Sequence, residues 1–341
     1  MILPVSIPER NHTTRFSRIS RNLLVLLCLL LPAANSAGID YLKNYVRPPV
    51  EGNLSFDLYS EMRYGVLKEY VYSSSAEDAE LLSRLDWEVQ PSFAAGMHAE
   101  LTLPYRLFIG GKAAIALPMR SGSMVNRDWI SGNPPLSNDD PDSPTHYSEH
   151  NAHLTEGYAA DVYIGYSFHG RHWSIEPAAG FQAWFYDFDG RDGFYLYPYK
   201  SGVFEGSVIT YQQLYYMPYV RSRISLRLPP RLQLQFTAAY SPLTAVDALD
   251  HHILRNKEFY DSPRCGTMLE SHLRISLQAS EPLSVWLSIG GSLVPPFRGD
   301  TDTLNTVTGA ESSSTNGGGA SLQLLHISAG IRLKTRLWDT N

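Results

Sequence analysis

Between Tyr158 and Phe168 the chain alternates without a slip: Tyr158, Ala160, Val162, Ile164, Tyr166 and Phe168 fall on one face. Ala159, Asp161, Tyr163, Gly165 and Ser167 fall on the other. A period of two marks an extended strand, because successive side chains leave a strand on opposite sides. The pattern returns in Leu232–Ala238 and Leu283–Ile289. Val220, Ile224, Leu226 and Leu228 alternate with Arg221, Arg223, Ser225 and Arg227. Leu325, Ile327, Ala329, Ile331 and Leu333 alternate with His326, Ser328, Gly330, Arg332 and Lys334. Charge on one face and clean apolar surface on the other suits a barrel with lipid outside and water within. A soluble sandwich or lipocalin-like barrel turns its apolar side inward, and periodicity alone does not separate the two.

The connections separate them. Ten strands are predicted, over residues 53–65, 83–102, 105–118, 156–169, 172–188, 207–228, 231–243, 265–280, 283–297 and 319–337. Short turns fall at Leu103-Pro104-Tyr105, Gly170-Arg171, Pro229-Pro230 and Glu281-Pro282. Long loops fall at 66–82, 119–155, 189–206, 244–264 and 298–318, strictly alternating with the short turns. In an up-and-down barrel every second connection lies on the same rim, so all the long loops share one end. An even strand count closes the sheet and leaves no backbone edge unpaired in lipid. The expected fold is therefore all-β, a ten-stranded antiparallel up-and-down transmembrane barrel with long extracellular loops. The 21 Tyr, 13 Phe and 6 Trp are enough for interface girdles. The last loop, with Ser312-Ser313-Ser314 and Gly317-Gly318-Gly319, is expected to be mobile.

The N-terminus agrees with export. Arg10, Arg15, Arg18 and Arg21 precede the apolar run Leu23–Leu31, and Pro32 and small residues follow. This is the plan of a signal peptide over residues 1–37, leaving 38–341 as the mature barrel. The apolar run is shorter than the roughly 20 residues a spanning helix takes. Removing it takes away four Arg and one Glu, moving the net charge from −6 to −9. An acidic exported chain is a poor partner for nucleic acid and a fair one for cations. Only Cys265 remains after the leader, so no internal disulfide forms.

Two distant stretches carry chemistry. Asp247-Ala248-Leu249-Asp250-His251-His252 offers an Asp-x-His pair, in which a carboxylate orients an imidazole acting as general base. Met124-Val125-Asn126-Arg127-Asp128-Trp129 offers an amide and a carboxylate to hold a water opposite it. Both lie at bases of long loops on one rim, as does Glu69. The residues His146, His150, His153, His251 and His252 include no His-x₃-His on a helix and no Cys partner, so neither metal nor other cofactor is expected.

In this setting the chain resembles the omptin family of outer-membrane proteases. The resemblance rests on Lys68-Glu69-x-Val71-Tyr72, Leu82-Ser83-Arg84-Leu85-Asp86-Trp87, the Met124–Trp129 stretch, Pro218-Tyr219 and Asp250-His251-His252, in order along most of the mature chain. It implies a ten-stranded barrel whose extracellular groove cleaves peptides, typically between basic residues. The water is activated by an Asp-His couple facing an Asp-Asp couple. Carried over, His252 is the general base, Asp250 its orienting carboxylate, and Asp128 the second member of the aspartate pair. The first member is Asn126 here, which binds water but brings no negative charge. The resemblance also implies an acidic substrate pocket. Glu69 keeps one of its positions, Ala248 replaces a second, and His146 stands where a further loop Asp is usual. A basic preference that is weakened or shifted follows. The uncharged stretch Phe181-Gln182-Ala183-Trp184-Phe185 gives no grounds for lipopolysaccharide dependence. The expected activity is a surface endopeptidase acting on peptides or proteins, a monomer surrounded by outer-membrane lipid, its site facing the cell exterior. The competing reading, from the Asn126 change, is a catalytically silent barrel used for adhesion or peptide binding. A small porin is disfavoured, because ten strands leave little lumen once side chains fill it.

Overall fold

The computed structural model describes residues 51–73, 80–140, 142–228 and 230–339. The leader predicted over residues 1–37 lies outside them, as does Pro229 of the third short turn. Among the described residues thirteen strands are formed: β1 (Glu51–Tyr72), β2 (Leu81–Thr102), β3 (Leu107–Ala116), β4 (Met119–Asp128), β5 (His146–Tyr166), β6 (Phe168–His169), β7 (Trp173–Tyr197), β8 (Lys200–Leu228), β9 (Leu232–His252), β10 (Lys257–Pro263), β11 (Gly266–Gln278), β12 (Leu283–Asn305) and β13 (Glu311–Asp339). Short interruptions divide three of the ten staves in two; only β5/β6 falls within one predicted strand, 156–169, whereas β4 and β10 extend their staves through stretches predicted as loop. β3 and β4 both pair β2 and β5, β10 and β11 both pair β9 and β12, and β6 continues β5 along β7. The result is ten antiparallel staves, and the β1–β13 ladder from Glu51↔Asp339 to Val71↔Gly318 closes the ring.

The outside of this ring is apolar. Leu58, Met97, Ile164, Ile224, Phe236, Ile275, Leu287 and Ile331 all stand exposed on it. Two aromatic belts bound the band. Tyr105, Tyr166, Phe168 and Trp173 are exposed near the short turns, and Tyr64, Phe93, Tyr158 and Tyr240 further up. Tyr158 and Tyr166 share a strand, eight residues apart, about 26 Å at roughly 3.3 Å per residue. At the tilt of roughly 35–45° that such strands take, this rises about 20 Å, comparable to the hydrocarbon band an outer-membrane barrel presents between its aromatic girdles. Inside, charges face each other. Asp57 takes Arg332 at 2.8 and 2.7 Å, Arg274 at 3.2 Å and His98 at 2.9 Å. Arg223 holds Glu100 through two 2.8 Å bonds, and Arg63 meets Glu61 at 2.7 Å.

The strands continue far beyond the upper belt, and here the structure corrects the predicted loops. Most of 66–72, 119–128, 146–155, 189–197, 200–206, 244–252 and 298–305 is paired strand. The serine and glycine run predicted as a mobile loop is the first part of β13, paired to β12 through Thr301↔Ser314 and Gly299↔Gly318, with Gly317, Gly318 and Gly319 buried. Above the band, Trp87, Tyr186, Phe188, Tyr211, Tyr215, Leu67, Leu154 and Leu322 are fully or almost fully buried across the lumen. Trp87 stacks on Tyr211 at 5.5 Å and 9° and tilts on Phe188 at 5.5 Å. This apolar floor separates the charged lumen below from the candidate site above.

Candidate active site

The Asp-x-His pair sits at the upper end of β9, ten residues and more beyond Tyr240 of the upper belt. Alternation puts Asp250 and His252 on the inner face and His251 on the outer one, against Glu258 and Thr210. His251 therefore gives the pair no help. His252 Nε2 lies 2.6 Å from Asp250 Oδ2. Nε2 is then the protonated nitrogen, and Nδ1 keeps the lone pair. Phe259 packs edge-on against the imidazole at 5.3 Å and limits its rotation.

The opposite wall comes from β4. Met124, Asn126 and Asp128 face inward, cross-strand from Trp87, Leu85 and Ser83 on β2 and from His150, Ser148 and His146 on β5. The Leu-Asp-Trp motif divides its work here. Trp87 builds the floor, while Asp86 points outward and takes Arg127 at 2.8 Å, Arg84 at 3.2 Å and Lys68 at 3.7 Å. Ser83 Oγ lies 2.6 Å from Asp128 Oδ1 and 3.0 Å from Asn126 Oδ1, and Asn126 Nδ2 donates to Asp128 Oδ2 at 3.3 Å. Asn126 and His252 line one cavity of about 170 Å³, with Met124, Ser148, His150 and Ile209. Asp128 is buried behind Asn126, 7% exposed, and is not part of the cavity lining. Asn126 and His252 thus face each other over a common space, with Asp250 and Asp128 behind them.

Three participants were missed by the sequence reading: Ser83, Ser148 and His150. His150 Nδ1 lies 2.7 Å from Asp192 O, and Nε2 lies 3.1 Å from Ser148 Oγ. The carbonyl can only accept, so Nδ1 is the donor and Nε2 accepts from the serine. Burial lowers the His150 pKa, against the opposing effects of the Asp192 carbonyl and Glu149. The period-two spacing of His146, Ser148 and His150 was the signal that could have found the latter two.

The predicted substrate positions divide. Glu69, on β1, is 1% exposed and faces Asp250 from across the upper barrel. Ala248 is buried one step down β9 from Asp250, on the same face. His146 lies apart, cross-strand from Asp128, 2.9 Å from Thr145 Oγ1 and tilted on Tyr197 at 4.8 Å. Among the described residues no group of three or more His, Cys, Asp or Glu converges to hold a metal ion.

Comparison with known proteins places the chain. Protease 7 of Escherichia coli O157:H7 is 27% identical over 213 residues, covering 59% of this chain and 64% of the relative. Protease 7 of Escherichia coli strain K12 is 28% identical over 181 residues, covering 49% and 54%. The aligned part of the chain thus spans less than two thirds of these curated relatives. The crystal structure of the outer membrane protease OmpT from Escherichia coli superposes with a TM-score of 0.77 at 21% identity, over 86% of this chain and 99% of that one. The model of the omptin family matches residues 51–335. The chain belongs to the omptin family.

Proposed function

We propose that this barrel is an outer-membrane endopeptidase whose site opens to the cell exterior and whose attacking group is a water in the cavity between Asn126 and His252. The reading rests on that shared cavity, flanked by the Asp250–His252 pair on one side and Ser83, Asn126 and Asp128 on the other. His252 Nδ1 takes a proton from the water as its oxygen adds to the peptide carbonyl carbon. Asp250 stabilises the imidazolium that forms. An amide nitrogen carries two donors, and Asn126 Nδ2 gives one to Asp128, leaving the other for the water or the developing oxyanion. When the tetrahedral centre collapses, the C–N bond breaks and the imidazolium returns the proton to the departing amine. No covalent enzyme intermediate forms.

The exterior orientation is supported by the short turns at one end and the long paired extensions, which carry the site, at the other. The test is hydrolysis of quenched peptide libraries by refolded protein. Wild type is expected to cleave, and His252→Ala to lose about 10²–10⁴-fold in kcat, the contribution of a positioned base. Wild-type turnover equal to that of His252→Ala refutes the proposal. One observation favours a second reading, a silent barrel that binds peptides: the amide of Asn126 where the family's second pair carries a carboxylate. In that case wild type binds peptides without cleaving them.

A further inference from the structure

β10 runs beside β9 after a turn over Ile253–Arg255, and its register sets Asp261 directly opposite Ala248. Paired residues in a ladder point to the same face, so Asp261 presents a carboxylate on the same inner face as the Ala248 methyl group. It is 4% exposed and held by Thr301 Oγ1 at 2.6 Å. Gly318 of β13 makes the placement possible, because a Cβ there would lie 2.3 Å from Asp261 Oδ1.

Three carboxylates therefore lie within electrostatic reach of one another near the His252 imidazole: Glu69 from β1, Asp250 from β9 and Asp261 from β10. Tyr211 faces them from β8. Among the described residues no Lys or Arg pairs with any of the three, and His252 is the single basic side chain in contact, at Asp250. Glu69 Oε2 and Asp250 Oδ1 are buried with no other group donating to them, the two carboxyls facing each other. Burial first, then the charges of Asp250 and Asp261, push the Glu69 carboxyl well above the ordinary range. Burial and Asp250 push Asp261 up to about 7. Unpartnered buried acceptors without a cation are costly. A guanidinium, with five donors in a planar fork, satisfies them.

We propose that Asp261 is a specificity-determining residue: together with Glu69 it receives the guanidinium or ammonium group of a substrate residue next to the scissile bond, replacing from β10 the carboxylate that β9 lacks at Ala248. The inference rests on the peptidase reading above and reverses one expectation drawn from the sequence. Preference for a basic side chain is retained, with its second carboxylate moved across the ladder.

Two peptides identical except for one Arg replaced by citrulline, its neutral near-isostere, test this. Cleavage is measured with wild type, and binding is measured separately by fluorescence anisotropy on the uncleaving His252→Ala protein. The Arg peptide is expected to be favoured by about tenfold or more in both, since an unsatisfied polar site discriminates strongly against a ligand that lacks the matching group. Asp261→Asn is expected to remove most of that preference and leave the citrulline peptide within about threefold. Adding Ala248→Asp to Asp261→Asn is expected to restore the preference, which a folding defect would not allow. Asp302→Asn, an exposed acid bonded to Ser313, serves as the distant control. Equal binding of the two peptides by the wild-type pocket, or undiminished preference in Asp261→Asn, overturns the inference. If neither peptide is cleaved but Arg is still selected through Asp261, the peptidase reading fails and the pocket stands.

Discussion

At Asn126 an amide occupies the wall of the cavity facing His252, bonded to Asp128 through Nδ2 and to Ser83 through Oδ1. Position and charge are here separable. The amide keeps the geometry, and what is missing is a group able to accept a proton or strengthen the imidazole as a base. Asn126→Asp is expected to raise kcat about 10- to 100-fold with little change in KM, a fraction of what a positioned acid–base group contributes. Because the new carboxylate lies about 3.3 Å from Asp128 Oδ2, the pair cannot ionise fully together. The pH–rate profile should gain an acid limb that wild type lacks. Unchanged kcat and an unchanged profile would show that Asn126 does not face the reacting water. Ser83→Ala separates positioning from charge in the other direction. It removes the hydroxyl bridging Asn126 and Asp128, and is expected to lower kcat about tenfold at unchanged pH dependence.

The strands became legible in proportion to the contrast between their two faces. In the lipid-facing halves, such as Tyr158–Tyr166 or Val220–Leu228, an apolar exterior alternates with charges inside, and the predicted spans match closely. Above the upper belt both faces contact water or a mixed wall. Sequences such as Ser312-Ser313-Ser314 or Asp247-Ala248-Leu249 then alternate weakly and read as loop, although they are fully paired. Cross-strand neighbours such as Asp261 and Ala248 depend on the register fixed by the Ile253–Arg255 turn, which no periodicity encodes. The same holds for the irregularity in β7 at Arg191–Gly193, where the ladder to β5 and β8 shifts. Asp192 there has φ 55° and aims its carbonyl at His150, and Gly193 has φ 104° beside Glu149 O. A Cβ at Gly193 would lie 1.9 Å from that oxygen. Gly193→Ala is expected to cost on the order of 1–3 kcal/mol in backbone strain. It should also withdraw the carbonyl that fixes the His150 tautomer. A lowered heat-modification midpoint on gels, together with reduced peptidase activity, checks this; a midpoint unchanged from wild type would refute it.

The molecule as a whole stacks a charged lumen, an apolar floor and an acidic cleft along one axis, and the layers predict different behaviour. With Trp87, Tyr186, Phe188, Tyr211 and Tyr215 buried across the barrel, no steady unitary ion steps are expected in planar bilayers. The cleft above adds a pH dependence. Burial and neighbouring carboxylates raise Glu69 well above its ordinary value and raise Asp261 from 3.8 to about 7. Between pH 4 and 7 the folded chain therefore holds protons that the unfolded chain has released, so stability falls as pH rises through this window. The contribution is fully present below the unfolded carboxyl values and is lost above the folded ones, amounting to a few kcal/mol at most for a coupled cluster. The double variant Glu69→Gln/Asp261→Asn removes the acids while keeping their shape. Its heat-modification midpoint is expected to exceed that of wild type at pH 8 and to approach it at pH 4. An amidated Arg peptide, placing a cation among the same carboxylates, should raise the wild-type midpoint at pH 8 and leave the double variant unmoved. Parallel pH curves for the two proteins would mean that the cluster does not titrate within the fold, and would remove the electrostatic cause from which a cationic substrate draws its affinity.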